Sequence, residues 1–370
     1  MLPGQILVML ILSGPFKPEV TNPQAHVESN QALFSEVLAA LVDRRDLADE
    51  QMRGMMEGLV SRAFQDAEAA AFLIALRMKG ETATEIASAA SVLRRHMIRW
   101  DPGRPGVLDT CGTGGDGSAT FNISTATAFV VAAAGVPVVK HGNRAVSSNS
   151  GSADVLAELG VSLEGDPVQA RRFLDRAGLA FCFAPHFHPA LKHLAGLRRR
   201  LGVSTLFNCL GPLANPAGAA YQLLGVGRPE LLDLLAGALA RLGTSHTLVV
   251  CSCDGLDEVS LSAPTMVREV RAQEITARTW TCADFGLEPC ALCEVRVSGT
   301  QASARMIRGI LEGKDGPATR LVLANAAAAL LAADQVQSLE QGVACAHEAI
   351  VSGRAQAVLE TLVRPQCHGD

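Results

Sequence analysis

Apolar positions recur every three or four residues along the first hundred residues, which is the spacing of amphipathic helices. Leu33, Val37 and Leu41 share one helical face. Thr82, followed three residues later by a glutamate, forms a capping box, the signature of a helix start. The pattern therefore predicts consecutive helices over residues 30–98.

From residue 106 onward, short apolar runs alternate with helical segments. In the segment 166–178, Asp166 is a predicted N-cap, Pro167 a first helical residue and Gly178 a terminator. Such alternation is typical of a largely parallel sheet with helices on both faces. The predicted strands are 106–109, 136–140, 161–164, 180–184, 222–226 and 247–251.

These elements predict an α/β fold in two parts. Residues 30–104 form a small N-terminal helical domain, which later helices can rejoin. Residues 105–365 form a larger domain whose mainly parallel central sheet is flanked by helices, and its tail, 303–363, is predicted to be helical. We expect residues 1–29 to be an extension, disordered or packed at a surface, because their apolar stretch is short for a membrane span and lacks a basic segment in front. A weak signal peptide is the alternative for this extension.

Composition narrows the class of protein. The chain of 370 residues is 48% hydrophobic and carries a net charge of −5, which argues against a broad nucleic-acid-binding surface. Its ten cysteines do not make a small disulfide scaffold in a chain of this length, and they fit reduced thiols. We therefore expect a cytoplasmic enzyme with no nucleic-acid partner and no membrane partner.

A glycine-rich turn follows the first predicted strand. Gly112, Gly114 and Gly115 allow a ligand to approach the backbone closely, so that main-chain N–H groups can reach phosphate oxygens. The segment Asn122–Thr125 then begins an alanine-rich helix, whose positive end favours anions. The turn lacks both the dinucleotide-binding and the P-loop fingerprints. By itself it is as consistent with a tight turn without a ligand as with a phosphate site.

A second turn strengthens the prediction of an anion site. The predicted strand Val136–Val139 leads directly into Lys140–Arg144, which holds two cations, a glycine and two hydrogen-bonding side chains. Ser147 and Ser148 follow, and Ser152 is a predicted helix cap. Ligands of parallel sheets gather beyond the carboxyl ends of the strands, where both turns lie. Together the two turns predict a site for a polyanion.

An acidic pair follows the last predicted strand. Asp257 and Glu258 suit Mg²⁺, which takes one or two carboxylates and fills its remaining positions with water and phosphate oxygens. A solvated acidic turn would be the default for such a pair alone, but its place in a chain with a phosphate cradle favours a metal site. His186, His188 and His193 have no carboxylate nearby in the sequence, and we predict that they bind no metal.

Four blocks of sequence carry a resemblance to a known family. GTGGDG, then N-x-S-T, then KHGNRAVSSxxGSAD and then FNxLGPLxNP occur in an order and spacing that resemble the anthranilate phosphoribosyltransferase family, over residues 30–363. The resemblance implies transfer of the phosphoribosyl group of 5-phosphoribosyl 1-pyrophosphate (PRPP) to the amine of anthranilate in tryptophan synthesis. It also implies Mg²⁺ as cofactor and a homodimer formed through the helical domain. Two features depart from the family pattern: the segment SGTQASA, to which we assign no function, and Ser204, where the family often has arginine, so that packing or substrate affinity can differ there.

The same resemblance implies roles for individual residues. Lys140 and Arg198 would position the substrates and supply charge, with no residue acting as a certain chemical catalyst. The implied metal ligands are Ser124, Asp257 and Glu258. The implied PRPP-binding residues are Gly112, Gly115, Asp116, Thr120, Asn122, Ile123, Ser124, Thr125, Lys140, His141, Gly142, Asn143, Arg144, Ala145, Val146, Ser147, Ser148 and Ser152.

For anthranilate, the implied binding residues are Gly112, Asn143 and Arg198. An arginine suits an aromatic acid, because its planar guanidinium can pair with a carboxylate and stack on a ring. Gly211 and Pro212 of the fourth block are predicted to form an apolar wall for this flat substrate.

Two other functions stay open. A pyrimidine nucleoside phosphorylase shares the predicted architecture and would use inorganic phosphate with a nucleoside, although the KHGNRAVSS block is not its signature. A non-catalytic nucleic-acid-binding relative is the second alternative, and the net negative charge and the intact acidic pair weigh against it.

Overall fold

A twisted β-sheet organises the larger part of the chain. The computed structural model describes residues 23–145, 150–163 and 166–363. Its strands are β1 (Leu108–Gly112), β2 (Val138–Gly142), β3 (Leu179–Phe183), β4 (Tyr221–Gly225), β5 (Thr244–Ser252), β6 (Thr265–Ala272) and β7 (Glu274–Trp280). Its helices are α1 (Pro23–Val42), α2 (Asp49–Ser61), α3 (Asp66–Lys79), α4 (Ala83–His96), α5 (Ile123–Ala133), α6 (Ser152–Glu158), α7 (Pro167–Ala177), α8 (Ala184–Phe187), α9 (Leu194–Leu201), α10 (Phe207–Leu210), α11 (Glu230–Leu242), α12 (Thr300–Leu311), α13 (Pro317–Ala332), α14 (Leu339–Val351) and α15 (Arg354–Val363).

The order of the strands places a crevice at the centre of the sheet. Across the sheet the order is β3-β2-β1-β4-β5-β6-β7, and the first five of these strands run parallel. The chain adds β2 and β3 on one side of β1, then returns to add β4 and β5 on the other side. The gap beyond the carboxyl ends of β1 and β4 is therefore the switch point at which ligands of such sheets bind. At this point Gly112 lies opposite Gly225 in the register of the two strands.

The predicted strand 161–164 is wrong, as far as residues 161–163 are described. Gly160 and Val161 close α6 instead, since their N–H groups bond to the carbonyls of Ala157 and Leu156 at 3.0 and 2.9 Å. Gly160 has φ +92°, so the end of α6 is a Schellman motif. Val161, at the position where this motif often has an apolar residue, is buried. Its apolar character explains why the segment was predicted to be a strand.

Strands β6 and β7 form an antiparallel hairpin on β5 that the sequence did not predict. Most of β7 is exposed, and of its seven residues only Trp280 is buried. An edge strand with two polar faces lacks the apolar run by which the other strands were identified.

The predicted helices at both ends of the chain are confirmed. α1–α4 occupy the N-terminal region, and α12–α15 form the tail. The Thr82 capping box is present, because its hydroxyl accepts the N–H of Glu85 at 3.2 Å and the Glu85 carboxylate accepts the N–H of Thr82 at 2.8 Å. Within the described ranges, no helix has the length and apolar character needed to cross a bilayer.

Two hydrophobic cores lie on the two faces of the sheet. One packs α5, α13 and α14 against it, and the other joins α2–α4 to α9–α11. Helices from later in the chain thus pack on the N-terminal helices. The boundary at residue 104 stays a prediction.

Candidate active site

The loop after β5 brings a carboxylate to the switch point. Asp257 accepts a hydrogen bond from the Gly114 N–H at 3.1 Å through its Oδ2 atom. A Cβ atom on Gly112 would lie 2.6 Å from this oxygen, and a Cβ atom on Gly225 would lie 1.6 Å from the Asp257 main-chain carbonyl oxygen. Both strands therefore need glycine here, because only the missing side chains leave space for the acidic loop.

Glu258 contacts the start of a helix. Its Oε1 atom accepts the N–H of Ser124, in the first turn of α5, at 2.9 Å. The positive end of the helix dipole stabilises an anion at this position. The glycine-rich turn thus binds the carboxylate of Asp257, and the start of α5 binds that of Glu258.

Lys140 lies beneath the first turn, not in the open part of the second. Only 3% of its surface is exposed, and its ammonium donates to the Ser124 hydroxyl at 3.1 Å and to the Thr110 carbonyl. Burial lowers the pKa of Lys140, and the negative charge of Asp109 opposes this shift. The Lys140 ammonium therefore contacts the first turn through the Ser124 hydroxyl.

Asp109, whose negative charge acts on Lys140, is itself held by two hydrogen-bond donors. Asp109 accepts the His141 N–H at 3.1 Å and the Asn215 side-chain amide at 2.8 Å. The same amide donates to the Val139 carbonyl at 2.8 Å. Burial raises the pKa of Asp109 to about 6, although Lys140 acts in the opposite direction.

The acidic pair has the electrostatics of a cation site. Burial raises the pKa of Asp257 to about 7, with a further rise from the charge of Asp116. Burial also raises the pKa of Glu258 well above its usual range, and Asp257 adds to this shift. Two carboxylates that are costly to ionise side by side would be stabilised by a divalent cation between them. Among the described residues no group of three or more His, Cys, Asp or Glu side chains is placed to hold a metal ion. A pair of carboxylates fits Mg²⁺, which is typically bound by one or two of them.

Asp154 organises the second turn. Its carboxylate accepts the N–H groups of Ala145 and Gly151 at 2.9 and 3.1 Å and pairs with the exposed Arg144 guanidinium at 3.0 Å. Ser152 begins α6 but does not cap it, so that prediction is wrong. Gly151 occupies the cap position, and the Ser152 hydroxyl lies 3.4 Å from the Asn143 carbonyl instead.

The two turns are connected by an amide. The Asn122 side chain donates to the Ser150 carbonyl at 3.1 Å. In the second turn, Asn143 is exposed, whereas Gly142 and Ala145 are half-buried. Three predicted PRPP residues, Val146, Ser147 and Ser148, lie outside the described residues.

The other predicted PRPP residues differ in exposure. Ile123 and Thr125 are buried at the start of α5. Gly115 is exposed, and Asp116 and Thr120 are half-buried along the first turn. All of these assignments stay predictions.

Three consecutive carbonyls of the Gly211–Leu213 segment are each held by a side chain from a different element. Gly211 accepts from the His141 ring at 3.1 Å, Pro212 from Gln222 on β4 at 2.7 Å, and Leu213 from Arg94 on α4 at 2.7 Å. The main chain of the predicted wall for the aromatic acceptor is therefore held from three directions.

Arg198 lies on α9, where its guanidinium stacks on the Phe207 ring at 5.2 Å. Burial lowers its pKa. In the described part of the chain, its ring contact is with Phe207, and no hydrogen bond joins it to Gly112 or Asn143. The structure thus gathers the predicted phosphate and metal residues more tightly than the predicted anthranilate residues.

The histidine cluster has local partners. The His188 ring lies 5.0 Å from the His141 ring, and the His193 ring lies 2.9 Å from the Leu59 carbonyl. Burial lowers the pKa of His141 to about 3 and that of His188 to about 4.

One buried side chain that supports the site was not predicted. Asn325 on α13 accepts the Val259 N–H at 2.9 Å and donates to the Val259 carbonyl at 2.9 Å, so it fixes the residue that follows Glu258. An asparagine inside an alanine-rich run was the available signal, because a buried amide requires partners.

Comparison with known proteins places most of the chain in one family. The model of the helical bundle domain of a glycosyl transferase family matches residues 35–97, and the model of the α/β domain matches residues 104–356. The anthranilate phosphoribosyltransferase of Thioalkalivibrio sulfidiphilus is 48% identical over 89% of this chain and 98% of its own. The chain belongs to the anthranilate phosphoribosyltransferase family.

Solved structures of this family superpose on the fold. The Thermus thermophilus enzyme has a TM-score of 0.82 and 40% identity, covering 88% of this chain and 98% of its own. The Saccharomyces cerevisiae enzyme in complex with PRPP and Mg has a TM-score of 0.82 and 29% identity, covering 90% of this chain and 97% of its own. The predicted family, fold class, function and enzyme class, a pentosyl-transferring glycosyltransferase, are confirmed, and these relatives favour that function over its two alternatives.

Proposed function

We propose that this chain transfers the phosphoribosyl group of PRPP to the amine of anthranilate through the residues gathered at the switch point. The products are N-(5-phosphoribosyl)anthranilate and pyrophosphate, in the pathway of tryptophan biosynthesis. The observation that carries this assignment of the site is the convergence of Asp257 and Glu258 on the first glycine-rich turn and the start of α5. Main-chain donors, a helix start and a carboxylate pair together suit a pyrophosphate with its cation.

The reaction forms one bond and breaks one. The anthranilate nitrogen attacks C1 of the ribose, the bond from C1 to the pyrophosphate oxygen breaks with its electrons, and the amine gives up a proton. We assign no protein general base, because the amine is already a nucleophile and the leaving group carries most of the developing charge. The protein's task is then to position both substrates and stabilise that charge.

Asp257, Glu258 and Ser124 would hold Mg²⁺. When bound, the cation would supply positive charge to the departing pyrophosphate. In the structure the N–H groups of Gly114 and Ser124 donate to the two carboxylates. Release of these N–H groups to pyrophosphate oxygens would free the carboxylates for the metal, so the same donors serve both states.

The remaining PRPP contacts come from both turns. The Gly112–Asp116 turn and the Asn122–Thr125 helix start bind pyrophosphate oxygens. Lys140 holds the Ser124 hydroxyl in place and adds its charge from below. The segment from His141 to Ala145, with Val146, Ser147, Ser148 and Ser152, binds the ribose and its 5′-phosphate.

The acceptor lies between the second turn and α9. Asn143, Arg198 and the main chain of Gly112 orient anthranilate, with the guanidinium directed at its carboxylate. Gly211 and Pro212 form the wall for its ring, which the three carbonyl contacts keep in one position.

An anthranilate fluorescence assay tests the reaction. Purified protein, PRPP and anthranilate should show loss of the anthranilate signal that depends on Mg²⁺, with pyrophosphate released in equal amount. If folded protein leaves the signal unchanged, the acceptor is a different molecule, and nucleobases or nucleosides with inorganic phosphate become the substrates to examine.

The assembly and compartment are further proposals. A homodimer through the helical domain is supported by the apolar side chains of Val42 and Met78, which are 71% and 74% exposed on α1 and α3. A cytoplasmic location is supported by the nine described cysteines, all of which are free thiols. Sedimentation analysis at micromolar concentration should give twice the chain mass, and Met78→Glu should shift it to the monomer mass.

A further inference from the structure

Ser303 on α12 is hydrogen-bonded to one residue of the predicted phosphate site, Asn122. It is fully buried. Its Oγ atom accepts the Asn122 N–H at 3.0 Å and donates to the Asn122 Oδ1 atom at 2.9 Å. Because the hydroxyl accepts one of these bonds, its single hydrogen is available for the other. Ser303 and Asn122 therefore each donate one hydrogen bond to the other and accept one.

This pair determines which way the Asn122 amide faces. With Oδ1 bound to the serine hydroxyl, the NH₂ group must face the other way, and it donates to the Ser150 carbonyl at 3.1 Å. A reversed amide would place its oxygen against the Ser150 carbonyl, which is repulsive, and would leave the serine hydrogen without its acceptor. Ser303 thus joins the start of α5 to the end of the second turn.

The position of Asn122 gives independent support. Asn122 is the N-cap residue of α5, yet its side chain makes no capping bond, although asparagine is among the preferred capping residues. A capping side chain would bind the N–H at the second or third helical position, and the second belongs to Ser124. The Ser124 N–H donates to Glu258 instead. Ser303 keeps the Asn122 side chain away from this donor.

We propose that Ser303 is a positioning residue for PRPP binding, which holds the Asn122 amide between the two turns and leaves the Ser124 N–H for Glu258 or for pyrophosphate. The inference rests on the proposed function of the site. It assigns a role to the segment SGTQASA, which departs from the family pattern.

Kinetics of Ser303→Ala test the proposal. Without the hydroxyl, the Asn122 amide can turn and compete for the helix N–H groups, so the KM for PRPP should rise about tenfold. The KM for anthranilate should stay within about twofold, since the acceptor wall is held by other residues. Ser303→Thr, which retains a hydroxyl at the same position, should keep a PRPP KM near that of the wild type.

A double-mutant cycle separates positioning from packing. In the Asn122→Ala background there is no amide to orient, so adding Ser303→Ala should change the PRPP KM by less than about twofold. PRPP binding measured by calorimetry without anthranilate should follow the same pattern. Ser88→Ala is the matched control. Ser88 is also buried, in α4, where its hydroxyl contacts the Asp49 carboxylate and the Thr84 carbonyl, and its loss should affect stability but not the PRPP KM.

Three results would overturn the role of Ser303: an unchanged PRPP KM, an equal rise in both KM values, or a full additional effect of Ser303→Ala in the absence of the Asn122 amide. Failure of the proposed function is a separate outcome, because the wild-type protein would then transfer no phosphoribosyl group to anthranilate.

Discussion

The main-chain carbonyl oxygen of Asp257 occupies the space beside Gly225 that any other residue would fill, since a Cβ atom there would lie 1.6 Å from it. A main-chain oxygen cannot turn aside as a long side chain can. Strand β4 thus fixes how close the acidic loop comes to β1, and so where both carboxylates stand relative to the glycine-rich turn.

Gly225→Ala should therefore remove activity by displacing the loop. We expect a loss of more than about a hundredfold in kcat/KM, and a fall of about 1–3 kcal/mol in the free energy of unfolding from overpacking. Steady-state kinetics and urea unfolding measure the two effects. Gly196→Ala is the control, because its Cβ would meet open space on α9 and the added methyl favours the helix. An active Gly225→Ala variant would show that the loop position is not critical.

Lys140→Met should affect both catalysis and stability. The loss of the ammonium frees the Ser124 hydroxyl and removes charge from the pyrophosphate side, so we expect kcat/KM to fall by about a hundredfold or more. It also leaves the buried Asp109 without its cation, which should cost about 3 kcal/mol of stability near neutral pH. Lys192→Met, at an exposed position, is the control for both measurements.

The pH dependence of that stability loss identifies its cause. The pKa of Asp109 is raised to about 6 with Lys140 present, and removal of the cation should raise it further. A raised carboxyl pKa destabilises the folded state above the unfolded value of about 4, and the penalty shrinks as the pH falls and the folded carboxyl takes up its proton. The variant should therefore be closer to the wild type in thermal stability at pH 5 than at pH 8. A constant difference across this range would point to packing alone.

The features that were predicted correctly are those that depend on residues close together in the sequence. Glycines after a strand, a capping box at Thr82 and carboxylates after β5 are local signals, and each lies where it was expected. Val161 misled because an apolar residue that closes a Schellman motif looks the same in sequence as one in a strand. The role of Asn325 was not predicted, since its partner, Val259, is 66 positions away. Lys140 was predicted where a strand leads into the second turn, and only the fold shows that it is buried beneath the first turn.

Gln222→Met should weaken the acceptor site alone. The change keeps the length of the side chain but removes the amide that holds the Pro212 carbonyl. A buried carbonyl without a partner favours movement of the wall, so the KM for anthranilate should rise about tenfold while the PRPP KM stays constant. Arg94→Met, which frees the adjacent Leu213 carbonyl, should act in the same direction. Equal changes in both KM values would contradict a specific role of this wall in acceptor binding.

His188→Phe should make the protein less sensitive to acid. His188 is 6% exposed, and burial lowers its pKa to about 4, whereas the unfolded chain has a histidine pKa of about 6.5. As the pH falls from 6.5 to 4, the unfolded state takes up the proton first, so the free energy of unfolding decreases by up to about 3 kcal/mol on account of this one residue. Phenylalanine fills similar space and cannot titrate. Urea unfolding at several pH values should give a shallower slope for the variant in this window, and parallel curves for the two proteins would show that His188 does not contribute to acid sensitivity.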